Sequence, residues 1–277
     1  MKRMYLLSVG FLAFALANCS KDNDPVTIQD ANINFSFDYT KKDNRLRLGQ
    51  AQYTSEEIAK AEKDFATTLA NAQGARNKTV VAATFLVSMK YAIPYAHRYY
   101  MSAGSYDYVG RYTKKGIFLR EIKDANGTHK PWGKLVPTHP KFDRSQVKGL
   151  GDSYENGLNC SSFVTWALYN GGAVDGIDVN TLNKYIAANY PEFPNAYTVT
   201  LKEGINNIRV GDLIGFNKAH IAMVIGVKGD NIIYASAEGG SVHPGEGLRY
   251  RYFNRKTTNF DTFAYKYIVK MEKVYKD

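Results

Sequence analysis

Apolar positions along the chain change period twice, and each change marks a different kind of element. Ile58, Ala61, Phe65, Leu69 and Ala72 recur at helical spacing, which places them on one face of an amphipathic helix. Thr54-Ser55-Glu56-Glu57 opens that helix as a capping box, because the threonine hydroxyl and the later glutamate each satisfy an orphan backbone N–H. Gly74 is expected to end it. Thr79 to Met89 is apolar nearly all round and predicts a second, more buried helix, stopping before the Ile93-Pro94-Tyr95 break. From Tyr99 to Tyr154 the chain is rich in Gly, Pro, Tyr and charge with no clear period, so long loops around short elements are expected. Phe163, Val164, Ala167 and Leu168 then form the buried stripe of a third helix that begins at Cys160, and Asn170-Gly171-Gly172 stops it.

The carboxy-terminal third shifts to strands. Leu213–Phe216, His220–Val227, Asn231–Ala237, Leu248–Phe253 and Phe263–Val274 are β-branched or aromatic runs separated by Gly, Asp, Asn and Lys turns. Ile221-Ala222-Met223-Val224-Ile225 is apolar on both faces, which suits a central strand covered by a helix on one side. Lys228-Gly229-Asp230-Asn231 reads as the hairpin turn to the next strand. The order is helices first, then an antiparallel sheet packed against them.

Within that frame Cys160 carries the sharpest chemical signal. A thiol at a helix N-terminus feels the positive end of the backbone dipole, which favours the thiolate, the form that attacks carbonyl carbon. The chain holds two cysteines, and the other, Cys19, belongs to an export signal, so Cys160 has no disulfide partner. The bland alternative is a small buried hydrophobe. A cysteine nucleophile needs a base, and five histidines are available. His97, His129 and His139 lie in the loop region and His243 in a Gly-Pro turn, all read as solvated loop residues. His220 instead opens the central strand directly after the Gly211-Asp212 turn, as a catalytic base or a satisfied structural histidine.

Lys2 and Arg3 precede an apolar run from Met4 to Leu16, which has the length of a signal-peptide core and is too short to span a bilayer. Leu16-Ala17-Asn18-Cys19 resembles the lipobox of bacterial lipoproteins, with Asn18 a departure, and the polar Ser20–Asp24 that follows resembles the export signals of Bacteroidetes lipoproteins. The resemblance implies lipidation at Cys19, a signal over residues 1–18, a tether and N-terminal segment over 19–53, and a domain over 54–277. An ordinary cleaved signal with a chance cysteine is the alternative, and either route places the protein outside the cytoplasm. The formal charge of +10 falls to +8 once Lys2 and Arg3 leave, and no block of five or more basic residues occurs. That spread argues against a nucleic-acid patch and for general affinity to an anionic surface such as the cell wall.

Three stretches in order carry a family resemblance: Asn159-Cys160-Ser161-Ser162-Phe163-Val164, Val210-Gly211-Asp212-Leu213-Ile214 and His220-Ile221-Ala222-Met223-Val224. Together they resemble the NlpC-type cell-wall cysteine endopeptidases, a papain-like family whose pattern runs Asp-Cys-Ser-Gly-Phe-Val, Pro-Gly-Asp-Leu, His-Val-Gly-Ile. The resemblance covers about Ile93 to Ala237. It implies an α+β fold, papain-like, with a nucleophile helix packed on a central antiparallel β-sheet behind a helical N-terminal preface. Position by position, Cys160 matches the nucleophile and His220 the base. Tyr234, in Ile233-Tyr234-Ala235-Ser236, occupies the orienting position after a slightly longer hairpin, with Glu238 as the alternative. Tyr95 matches an upstream tyrosine that borders the nucleophile, a candidate oxyanion donor beside the Cys160 N–H. Trp132, in Pro131-Trp132-Gly133, together with Asn159 and Ser161, falls at positions expected to line the substrate.

Three departures from the family stand out: Asn159 for aspartate, Ser162 for glycine and Tyr234 for histidine. The activity implied is hydrolysis of peptidoglycan peptide stems through a thioester, at a bond of the D-glutamate–diamino acid type, without metal or cofactor. Peptidoglycan or its fragments would be the partner, with a membrane reached through the lipid on Cys19 and no nucleic acid. The alternatives are another cysteine amidase or acyltransferase on the same fold, or a non-catalytic wall-binding lipoprotein.

Overall fold

The computed structural model describes residues 37–96, 115–124, 127–137, 153–173, 196–216, 220–239 and 247–276. The first two helices, α1 (Ser55–Asn71) and α2 (Gly74–Ser88), form where expected, and the capping box is present: Glu57 N donates to Thr54 Oγ1 and Thr54 N to Glu57 Oε2. Gly74 departs from expectation. It opens α2 instead of merely closing α1, and its φ of +73° lets the chain reverse within three residues of Asn71. Buried from Thr79 to Val87 except for the half-buried Phe85, α2 fills the core with Val80, Val81, Ala82, Ala83, Leu86 and Val87.

In the region expected as long loops around short elements, the short elements are two antiparallel pairs, β1 (Ile122–Asp124) with β2 (Gly127–His129) and β3 (Leu135–Pro137) with β4 (Ser153–Glu155). Next comes α3 (Cys160–Gly171), ended by Gly172 in the left-handed conformation. Gly171 touches Thr79 of α2 so closely that any side chain there would overlap the threonine, and this contact sets the spacing of the two helices.

Six strands make the sheet: β5 (Tyr197–Thr200), β6 (Leu213–Phe216), β7 (His220–Lys228), β8 (Asn231–Glu238), β9 (Gly247–Asn254) and β10 (Tyr267–Lys270). Their order is β5-β10-β6-β7-β8-β9, antiparallel throughout, with a short α4 (Leu201–Gly204) after β5 and α5 (Glu272–Tyr275) after β10. The fold is thus α+β around an antiparallel sheet. The strand expected over Phe263–Val274 is shorter, because residues before Tyr267 turn back under the sheet and Glu272 begins a helix. The edge strand β5 was not expected, since four residues with Tyr197 and Val199 on one face and two threonines on the other give too short a run to mark a strand.

Alternation along the strands feeds two cores. Leu213, Ile221, Met223, Ile233, Ala235 and Ala237 face α2 and α3, while Ile214, Ala222, Val224, Ile232 and Tyr234 pack on a second cluster with Phe253 and Tyr265. Both faces of the central strands are covered, one of them by helices as the apolar run Ile221–Ile225 predicts. Residues 37–53, ahead of α1, also pack on the sheet: Tyr39 and Leu48 are buried, and Asp43 holds Arg45 at 2.7 Å and Arg249 of β9 at 3.1 Å.

Candidate active site

The site begins with how α3 is started. Asn159 is the N-cap, and its Oδ1 accepts from Ser162 N at 2.8 Å and from Ser161 Oγ at 2.9 Å. This satisfies one of the orphan donors of the first turn. Asn159 is only 3% exposed and Ser161 is buried with it, so both side chains shape the helix start from within. An aspartate would make the same cap with an added charge, and the asparagine keeps the cap neutral.

Cys160, the first residue of α3, is partly buried on the helix side of the sheet. The chain reaches it through a tight crossing in which Leu158 N donates to Pro94 O at 3.0 Å and Ala96 N to Leu158 O at 3.3 Å, pairing Tyr95 with Leu158. Gly157 has no room for a side chain, because a Cβ there would overlap Pro94 O. Tyr95 therefore lies one strand-width from the residues that lead into Cys160, and its ring covers Gly239 just beyond β8, where a Cβ would strike it. The backbone thus sets Tyr95 beside Leu158, two residues before Cys160.

Opposite, α3 packs across β7 and β8. His220 opens β7, and its Nε2 lies 2.6 Å from Ser236 Oγ on β8. The Tyr265 hydroxyl is 3.5 Å from the same Oγ, and the Tyr265 ring is centred 5.7 Å from the imidazole. Burial pulls the His220 pKa below its ordinary value against an opposing pull from Glu238, which favours neutral imidazole at neutral pH. Burial raises the Tyr265 pKa, helped by Tyr234 and by Cys160, so the thiol, the imidazole and the phenol share one electrostatic neighbourhood.

The orienting group is the main correction. Tyr234 pairs with Val224, four residues from His220, or about 13 Å along a strand. Its ring packs on Tyr265 at 5.3 Å and on Phe253 at 6.0 Å. The register explains why. Next to the turn Lys228 pairs with Asn231, but a bulge between Val224 and Gly226 adds one residue to β7. A strict hairpin would put His220 on the face opposite Ser236; the bulge brings both to one face and makes them diagonal neighbours. Ser236 holds the imidazole, and counting residues against a family pattern overlooks it because a bulge leaves no compositional mark. Glu238, the alternative, is gripped by Arg251 at 2.6 Å and reaches His220 through its charge.

The Gly-Asp motif before β6 is structural. Asp212 is fully buried, bonded to Lys270 Nζ at 2.6 Å and to the backbone N–H groups of Arg209 and Met271, with Arg76 of α2 at 3.6 Å. This cluster fastens α2, β10 and the turn into β6, and so fixes the strand that pairs with β7. Trp132, expected at the substrate, is 2% exposed and packs edge-on to Phe118 at 5.3 Å and Trp166 at 6.1 Å, inside the core beneath α3. His129, read as solvated, is 5% exposed at the end of β2. His97, His139, His243 and Cys19 lie outside the described residues.

Among the described residues no helix is long and apolar enough to cross a membrane, and no group of His, Cys, Asp and Glu could hold a metal ion. Comparison with protein-family models, curated proteins and solved structures returned no match.

Proposed function

We propose that this protein is a papain-like cysteine peptidase or amidase of the NlpC type, which hydrolyses peptide stems of peptidoglycan from a lipid-anchored position in the cell envelope. The observation that carries the reading is the convergence of three groups: a cysteine at a helix N-terminus, a histidine opening the strand beneath that helix, and a serine fixing the histidine's Nε2 at 2.6 Å. A buried structural histidine accounts for the serine contact, but it does not account for a partly buried thiol at the start of α3 whose charge reaches Tyr265, the ring that stands against that histidine.

In this mechanism His220 takes the thiol proton and the Cys160 sulfur attacks the amide carbonyl carbon. The oxyanion develops beside the Cys160 N–H at the helix terminus and the Tyr95 hydroxyl, where donors already in place stabilise it. Imidazolium then protonates the leaving amine as the C–N bond breaks, leaving a thioester on Cys160. Water, deprotonated by His220, attacks the thioester, and the proton returns to sulfur as the acid product departs. Whenever imidazolium is present, Ser236 Oγ accepts its Nε2–H. The basic balance of the mature chain, +8 by formal charge, suits an anionic wall polymer, and lipidation at Cys19 would hold the domain near it.

The test is incubation of the detergent-solubilised full chain with stem tripeptides, with tetrapeptides and with intact glycan strands, followed by mass spectrometry of the products. Cleavage between D-glutamate and the diamino acid supports the reading. Cleavage at the sugar–peptide amide would make the protein an amidase on the same fold.

A further inference from the structure

Ser236 poses a problem that the mechanism leaves open. A hydroxyl has one proton to donate and two lone pairs. With Nε2 of His220 at 2.6 Å, the serine can donate to that nitrogen or accept from it, and the two choices have opposite consequences. If Ser236 donates, neutral imidazole carries its proton on Nδ1 and has no lone pair there for the thiol. If Ser236 accepts, the proton sits on Nε2 and Nδ1 is the basic nitrogen. A carboxylate or amide oxygen in the same place could only accept, so the question arises because the third group here is a hydroxyl.

Among the described residues, the side-chain hydroxyl recorded at Ser236 is that of the buried Tyr265, 3.5 Å away with the phenol as donor, a direction that rotation of the two O–H bonds can reverse. Its ring is held by Phe263 at 5.7 Å and Tyr234 at 5.3 Å, and it stands against the imidazole at 5.7 Å, so the phenol oxygen has little freedom to leave. Either hydroxyl can rotate to donate to the other. We infer that Tyr265 is a positioning residue: its oxygen accepts the Ser236 proton, which obliges Ser236 Oγ to accept from His220 Nε2–H and fixes the base in the tautomer with Nδ1 unprotonated.

The chain runs from Nε2–H to Oγ–H to the phenol oxygen, each donor polarised by the next acceptor, and it strengthens when imidazolium forms. Tyr234 then has a place: its ring fixes that of Tyr265. The inference rests on His220 acting as the base, and it says how a serine can stand where an acceptor is required.

The test reads the tautomer directly, by ¹⁵N NMR of the imidazole in the full chain labelled at histidine, at a pH where His220 is neutral and with no substrate present. His220→Gln identifies its signals by their disappearance. Wild type should show the Nε2–H tautomer, and Tyr265→Phe should move His220 toward Nδ1–H, with kcat lowered about tenfold, one hydrogen bond's worth, at nearly constant KM. In a Ser236→Ala background the same Tyr265→Phe change should have no further effect on turnover. An Nδ1–H tautomer in wild type overturns the inference without any variant having to fold, and so does an unchanged tautomer in Tyr265→Phe. An Nε2–H tautomer in a protein that cuts no peptide would instead refute the proposed activity and leave the tautomer assignment standing.

Discussion

Replacing Ser236 by alanine removes one buried hydroxyl and leaves the strand, the bulge and the His220 ring in place. On the proposed mechanism the 2.6 Å contact joins a hydroxyl to neutral imidazole before reaction, and joins the hydroxyl to imidazolium in the transition state. A neutral hydrogen bond contributes about 0.5–1.5 kcal/mol and one to a charged group about 1.5–3 kcal/mol, so about 1–1.5 kcal/mol is gained only as the charge forms. At about 1.4 kcal/mol per decade this is close to tenfold in kcat, and loss of ring orientation adds up to about another tenfold. Steady-state kinetics on a stem peptide should therefore show kcat lowered by about 10- to 100-fold with KM little changed, as expected for an interaction strengthened in the transition state. The same loss destabilises imidazolium, so the acid limb of the kcat profile, already below pH 6.5 because burial depresses the His220 pKa, should move to lower pH. Tyr234→Phe should turn over near the wild-type rate. Full activity in Ser236→Ala beside a crippled Tyr234→Phe would refute the register argument and return the orienting role to Tyr234.

Three further outcomes follow from the packing and the electrostatics. Asp212→Asn removes the carboxylate facing buried Arg76 and leaves Lys270 the Glu272 carboxylate at 3.3 Å, which should cost up to about 3–5 kcal/mol and lower Tm by about 2–4 °C per kcal/mol, read by calorimetry. Gly157→Ala forces a Cβ onto Pro94 O and should cost about 1–3 kcal/mol or more, with slower alkylation of Cys160 because the crossing that delivers α3 must shift; unchanged Tm would contradict the close approach. His220 has a folded pKa below its unfolded value, so between the two the unfolded chain binds more protons and stability falls as pH drops through that window, by about 1.36 kcal/mol for each pK unit of depression. Urea titrations should show that His220→Gln loses less stability than wild type between pH 6.5 and 5; parallel losses would place the histidine in a solvated environment.

The parts of the fold legible in the sequence were those whose signal is local and periodic. The capping box at Thr54, the apolar stripe of α3, and the runs of β6 to β9 each rest on residues within one element, and their bounds lie within a few residues of expectation. The positions of Cys160 at the start of α3 and His220 at the head of β7 were legible because a cysteine after a cap and a histidine opening an apolar strand stand out locally. Ser236 was not, since its partnership with His220 depends on a bulge across two strands, where one residue decides which face a side chain takes. Tyr265 was hidden differently: it comes from a turn read as strand, and only the closed sheet carries it to the imidazole. Trp132 went astray because a Trp-Gly pair reads alike in a cleft wall and in a core, and only the neighbours Phe118 and Trp166 decide.

The central claim is that the Cys160 sulfur cuts a peptide bond with His220 as its base, and one measurement meets it directly. The full chain, as wild type and as Cys160→Ser, is incubated with a stem tripeptide, and both products and protein are weighed by mass spectrometry. Wild type should release two fragments whose masses sum to the tripeptide plus one water, and acid quenching should trap protein heavier by the acyl fragment. Cys160→Ser should leave the tripeptide intact while keeping the wild-type thermal transition. Fragments produced equally by the Cys160→Ser protein would contradict the account.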